Sequence, residues 1–186
     1  MKQYAILFFA IFLITACGNA SQSSNEVAQD NSYEAWNKEA IKEIRLNPRY
    51  GNAVKTPEQI AADQELIKTY VKMAGSRRIG AEMLTKKGFE YLQAGNLRTA
   101  MYRFNQAWLL DSTDANVYSG FASIYFKFKD YKKSISLLDE GLAINPKSSV
   151  LLTDKATNYF SLFESSNSML DIDKGLSLLK ESYSID

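Results

Sequence analysis

Histidine is absent from the 186 residues, and with it the commonest general base and the commonest metal ligand. Cysteine occurs once, at Cys17, so the chain has no internal disulfide and its fold must rest on apolar packing, for which 46% hydrophobic residues suffice. Neither charge sign is in excess. The 22 Lys+Arg against 21 Asp+Glu provide no basic face of the kind nucleic acid demands, and no nucleic-acid partner is expected. Clusters such as Arg77-Arg78 and Lys86-Lys87 read as solvated helix surface, with an anion site as the alternative. Glycine-rich phosphate cradles are missing as well: Met73-Ala74-Gly75-Ser76 and Ile79-Gly80 have neither the spacing nor a preceding strand. Asp171-Ile172-Asp173 lacks the glycine and the distal Glu of a calcium loop. Serines are plentiful, but none has a base to activate it. No catalysis, cofactor or metal is expected.

What the chain does have is a period. Tyr91, Tyr125 and Tyr159 stand 34 residues apart, each three residues after a small one: Gly88, Ala122 and Ala156. The first repeat continues through Leu84, Lys87, Ala100, Phe104 and Ala107. The second continues through Tyr118, Phe121, Ser134, Leu138, Gly141 and Asn145-Pro146. A period in the thirties marks a stacked helical array, in which no repeat buries its apolar face alone. Gly88, Ala122 and Ala156 then lie where two helices of a hairpin cross closely, opposed by Ala100, Ser134 and Gly175. Gly95-Asn96 and Lys129-Asp130 supply turns, and Pro146 ends a helix because it lacks an amide donor. Lys87 and Lys155 are expected at the solvent edge with their stems packed. Ser112 stands where the first repeat would carry its proline, a weaker boundary. The third repeat carries about seven extra residues, since Tyr159 to Gly175 spans 16 where Tyr91 to Ala100 spans 9. The Ser- and Asn-rich stretch from Ser161 to Asp173 predicts a loop insertion there.

These residues resemble the tetratricopeptide repeat (TPR) family, whose consensus places an aromatic, Leu, Gly and Tyr on a first helix and Ala, Phe and then Pro on and after a second. The resemblance implies an all-α fold of antiparallel helix hairpins in a right-handed superhelix over residues 77–186, with repeats at about 81–114, 115–148 and 149–186. It also implies protein binding on an inner, concave face lined by the first helix of each repeat. Carried onto this chain, that face comprises Glu82, Thr85, Lys86, Phe89 and Gln93, then Asn116, Ser119, Gly120, Ser123, Phe126 and Lys127, then Thr153, Asp154, Thr157 and Phe160. Leu92, Phe126 and Phe160 share one register, as an apolar ladder along the groove or as packing between neighbouring hairpins. The face does not reproduce the Lys and Asn pairs with which TPR grooves clamp a C-terminal carboxylate.

At the other end, Met1-Lys2 precedes a short apolar run from Tyr4 to Ala16 and then Cys17. A membrane-spanning helix needs about 20 apolar residues, so residues 1–16 read as a secretory signal peptide. Ile14-Thr15-Ala16-Cys17 resembles a bacterial lipobox, which implies acylation of Cys17 and attachment to a membrane of the cell envelope; an ordinary cleaved signal is the alternative. Gly18 follows the cysteine, and the resemblance to proteobacterial lipoproteins, in which Asp at that place signals inner-membrane retention, implies the outer membrane. Residues 17–31, rich in Ser, Asn and Gln, predict a flexible tether.

Two helical segments fill residues 32–76 and are expected to cap the start of the array rather than form a separate domain. Trp36, Ala40, Ile41 and Ile44 gather on one face of a helix predicted over Tyr33 to Leu46, closed by Asn47-Pro48. Thr56-Pro57-Glu58-Gln59 predicts a capping box opening a helix that runs to Ala74, with Ile60, Ile67, Val71 and Ala74 on one stripe and Gly75 as its stop. Leu176, Leu178, Leu179 and Tyr183 form an apolar edge near Asp186, expected to meet a second copy or another protein, or to be covered by the extended third repeat. The expectation is a lipid-anchored envelope scaffold for a protein partner. A structural subunit bound through its end faces and a small-molecule or glycan binder are the rivals.

Overall fold

The computed structural model describes residues 32–185, and every regular element among them is helical. The three repeats are three antiparallel hairpins: α3 (Arg77–Gln93) with α4 (Leu97–Leu110), α5 (Asn116–Lys127) with α6 (Tyr131–Ile144), and α7 (Ser149–Ser166) with α8 (Met169–Tyr183). Each hairpin packs on the next, α4 against α5 and α6 against α7, while α5 also meets both α3 and α7. The result is a TPR-like helical solenoid.

Local chemistry sets the boundaries. Ser76, Asn96, Asp130 and Ser148 each accept a hydrogen bond from the backbone amide three residues on, the cap that a helix start requires. The turns within the first two hairpins need a left-handed residue, supplied by Gly95 (φ 77°) and, 34 positions later, by Lys129 (φ 62°). Helix α6 stops at Ile144, before Pro146. At the weaker boundary after α4, the Asp111 side chain replaces the missing proline by accepting bonds from the Thr113 amide and hydroxyl. Arg77 is no idle surface charge: its guanidinium donates to the carbonyls of Leu109 and Leu110 at 2.8 Å, tying α3 to the C-terminal end of α4.

Phe104 fills the closest crossing. Fully buried, it lies between Gly88 of α3 and Gly120 of α5, and a Cβ on either glycine would stand under 3.0 Å from its ring. Phe89 and Phe121 meet the same ring edge-on at 5.1 and 6.2 Å. The small residue at position 88 thus makes room for an aromatic ring; Ala100, fully buried on α4, accompanies it. Gly175 repeats the device in the third hairpin, where Phe160 occupies the space.

Three expectations are corrected. The extra residues of the third repeat form no loop. Helix α7 runs on to Ser166, a two-residue turn at Asn167 and Ser168 follows, and α8 begins at Met169, so both helices are lengthened. Added helical turns keep their backbone bonds satisfied and find a partner in each other, which Ser and Asn content alone does not reveal. The helix predicted over Tyr33 to Leu46 ends at Ala40: α1 spans Tyr33–Ala40, and short 3-10 turns follow at Ile44–Leu46 and Pro48–Asn52. Its end is held by the Asn47 side-chain amide, which donates to the Ala40 carbonyl at 2.7 Å. Ile41, assigned to the buried face, is 82% exposed. The third correction concerns α2 (Pro57–Ala74), which has the expected Thr56/Gln59 capping box and the Gly75 stop. Its packed residues are Leu66, Ile67 and Tyr70, however, while Ile60 is exposed.

The N-terminal segment does more than close an end. Helix α2 packs on α3 and α4, but α1 and the 3-10 turns lie across α4 and reach the second hairpin. Tyr33 stacks on Phe128 at 4.9 Å, meets Tyr125 edge-on at 6.2 Å and donates its hydroxyl to Asp130 at 2.6 Å. Glu39 pairs with Arg98, and Arg49 pairs with Glu140 of α6. The anchor is Asn105 of α4, fully buried. Its Nδ2 donates to the Arg45 and Asn47 carbonyls at 2.8 and 2.9 Å, and its Oδ1 accepts the Tyr50 amide at 3.2 Å. Those bonds hold Arg49, Tyr50, Gly51 and Asn52 in consecutive left-handed conformations, φ 53° to 64°.

Candidate binding groove

The first helices α3, α5 and α7 place their free faces side by side. Glu82, Thr85, Lys86 and Phe89 of α3 and Asn116 and Ser119 of α5 line an open cleft of about 400 Å³, completed by Asp114 and Val150. The heptad-like spacing of Glu82, Thr85, Lys86 and Phe89 puts them on one helix face, opposite the core positions Leu84 and Gly88. Asp114 and Val150, which pattern reading missed, sit at the mouths of α5 and α7. The turn residue Asp114 was findable, since its side chain accepts the Asn116 amide at 3.0 Å and so must stand at the start of α5. The lining mixes charges and apolar surface: Glu82 pairs with Arg78 at 3.3 Å, Lys86 is exposed, and Phe89 and Val150 are apolar. Such a surface suits an amphipathic peptide or helix.

A second, smaller pocket of about 130 Å³ adjoins it between α5, α6 and α7, lined by Ala122, Ser123, Phe126, Ser134, Asp154, Thr157 and Asn158. Ser119 links the two, donating its hydroxyl to Asp154 Oδ2 at 2.5 Å while lining the first cleft. Burial pushes the Asp154 carboxyl above the ordinary range, and the Ser119 hydrogen bond only partly offsets this. Ser134 and Asn158 were not among the expected groove residues; both are buried polar groups at core register.

Five expected face residues lie elsewhere, one of them Gly120, which packs against the Phe104 ring. Gln93 and Lys127 are exposed at the ends of α3 and α5 and line neither cavity. Thr153 turns to α8, with its hydroxyl 3.0 Å from that of Ser182. Phe160 fills the space above Gly175 inside its own hairpin. The register of Leu92, Phe126 and Phe160 therefore forms no continuous ladder: Leu92 is buried, and Phe126 packs on Tyr131 at 5.3 Å. The repeated tyrosines serve the scaffold. Tyr91 and Tyr159 lie under the cations Arg103 and Lys174 of their own hairpins, at 6.0 and 5.2 Å, while Tyr125 is covered by Tyr33.

Comparison with protein families supports the repeat type. Residues 91–153 match the tetratricopeptide repeat. The matched stretch runs from the end of α3 to the start of α7 and supports a TPR protein, whose fold is generally a non-catalytic protein-interaction module. No curated protein matches the chain. Among the described residues, no helix is long and apolar enough to cross a membrane, and no cluster of three or more His, Cys, Asp or Glu could hold a metal. Cys17 and the whole predicted signal and tether lie outside the described residues.

Proposed function

We propose that the protein is a lipid-anchored scaffold of the bacterial cell envelope that binds a protein partner along the groove formed by α3, α5 and α7. The observation that carries the groove reading is the convergence of Glu82, Thr85, Lys86, Phe89, Asn116 and Ser119 on one open cleft, whose Ser119 hydrogen-bonds Asp154 of the smaller pocket. The repeat type supports an interaction role. The lipid anchor rests on the Ile14-Thr15-Ala16-Cys17 motif, and its role would be avidity: confinement to a membrane raises the effective concentration of the groove, so that weak binding suffices.

A second reading is favoured by the exposed apolar side chains of α8. Met169, Leu170, Leu176 and Tyr183 are all more than half exposed, an edge suited to an assembly partner or a second copy. A photo-crosslinking residue placed at Lys86 and, separately, at Leu179 in intact cells separates the two. Groove binding predicts partners captured from Lys86; capture from Leu179 alone ends the groove reading in favour of the edge. Metabolic labelling with a fatty acid, lost in Cys17→Ser, tests the anchor.

A further inference from the structure

The pocket between α5, α6 and α7 carries an unusual hydrogen-bonding balance. The Asn158 side-chain nitrogen donates to the Asp154 carbonyl at 2.9 Å, a bond that only the NH2 end can make, so its Oδ1 faces away from that carbonyl as a pure acceptor. That oxygen has no hydrogen-bond partner among the described residues, although Asn158 is only 3% exposed. The hydroxyl of Ser134, fully buried on α6, is likewise unpartnered. Thr157 spends its hydroxyl proton on the Thr153 carbonyl at 3.0 Å and presents lone pairs alone. Asp154 has one oxygen occupied by Ser119, which leaves the other to accept. Three acceptors, Asn158 Oδ1, Thr157 Oγ1 and the second Asp154 oxygen, thus line a small space beside the Ser134 hydroxyl, which can donate or accept, and a buried unpaired acceptor such as Asn158 Oδ1 is costly unless a donor arrives.

Asp154 is the single ionisable side chain among the lining residues. Its neighbour Lys155 is engaged elsewhere, paired with Asp139 at 2.5 Å. Phe126 supplies an aromatic wall. A group with several donors and a positive charge, on an apolar stem slender enough for about 130 Å³, suits the three acceptors, the Asp154 carboxylate and the aromatic wall.

We infer that this pocket receives a primary ammonium group of the bound partner, hydrogen-bonded by Asn158 Oδ1, Thr157 Oγ1, Ser134 Oγ and Asp154. The inference deepens the groove reading and rests on it, because Ser119 of the cleft hydrogen-bonds Asp154 of the pocket. It assigns the partner a lysine side chain or a free amino terminus at this point. Guanidinium is a poorer fit, since its planar fork needs a wider opening.

The test uses the full-length chain with Cys17→Ser in neutral detergent, isotopically labelled for NMR. Butylammonium chloride is titrated at constant ionic strength against tetramethylammonium chloride, which carries the same charge with no N–H donor. The expected result is a saturable shift of the Asn158 side-chain amide signal and a lowered Asp154 titration midpoint with butylammonium only. Asp154→Asn, which keeps the shape, should weaken the binding at least tenfold with an unchanged thermal melt at low pH. Equal responses to the two cations, or none at Asn158, would overturn the inference. Acetyl-lysine methylamide and glycine methylamide, which present a side-chain and a terminal amine, then distinguish the two sources. Crosslinking from Lys86 with no ammonium response would sink the pocket while leaving the groove intact; loss of crosslinking with the response retained would do the reverse.

Discussion

Phe104 shows how much a single side chain settles. Its ring occupies the volume that a Cβ at Gly88 or Gly120 would need, and backbone on two different hairpins lines that volume. A methyl group there cannot be absorbed by one flexible side chain. Gly88→Ala should destabilise the protein by about 1–3 kcal/mol, the usual cost of overpacking, and the melting midpoint should fall accordingly. An unchanged midpoint would mean that the ring moves freely. Asp154 allows a prediction with a defined sign. Its folded-state pKa is raised by burial, so the native protein binds the proton more tightly than the unfolded chain, whose Asp titrates near about 3.9. The contribution to stability is therefore greatest at low pH and is lost as pH rises from about 3.9 through the folded value. Asp154→Asn removes that loss. Relative to the parent, the variant should gain stability as pH rises above about 3.9, measured by urea unfolding; a pH-independent difference would contradict the burial account.

At the scale of elements, the two matched turns invite comparison. Gly95 adopts φ 77° at no steric cost, whereas Lys129 adopts φ 62° with a Cβ in place. The left-handed conformation costs a side-chain-bearing residue about 1–2 kcal/mol, partly offset by the entropy that glycine brings to the unfolded chain. Lys129→Gly should accordingly stabilise by about 0.5–1 kcal/mol in denaturant melts. The N-terminal segment offers the opposite case. Its 3-10 turns and left-handed run have little intrinsic stability and are held by three hydrogen bonds to Asn105. Asn105→Ala removes all three and strands the carbonyls of Arg45 and Asn47, a loss of about 2–4 kcal/mol at about 1 kcal/mol per bond plus a burial penalty. Amide exchange should then accelerate over residues 44–52 more than in α5 and α6; uniform acceleration would show that the segment is an inseparable part of the core. Periodicity made α3 to α6 readable in advance, because each buries one apolar stripe at fixed offsets. Residues 41–52 were not readable: their conformation follows from a polar side chain 60 positions away, and the apolar spacing of Trp36, Ala40, Ile41 and Ile44 imitates a longer helix.

For the molecule as a whole, α1 and its following turns tie separate hairpins together. A solenoid usually relies on contacts between neighbours alone; here Tyr33 joins α1 to the turn of the second hairpin, and Arg49 joins the same segment to α6. Neither contact involves a residue that lines the cleft between α3 and α5. A further exposed apolar surface is α8, where Leu176 is 51% and Tyr183 86% exposed. If that edge self-associates, light scattering of the Cys17→Ser protein should show a mass rising with concentration across the micromolar range, and Leu176→Glu should abolish the rise. A strict monomer would leave the edge to a different partner.

The spacing of tyrosines and small residues by itself determined the hairpin array and its turns, because helical periodicity assigns side chains to faces within one element; the inner-face residues came only from the resemblance to tetratricopeptide repeats. Only the tertiary structure decided which face residues share a cavity, that Phe160 and Thr153 serve the third hairpin, and that Ser134, Asn158 and Asp154 meet at one pocket. Those meetings depend on the relative placement of three helices and on which polar atoms are already bonded, neither of which is a property of any local stretch of chain.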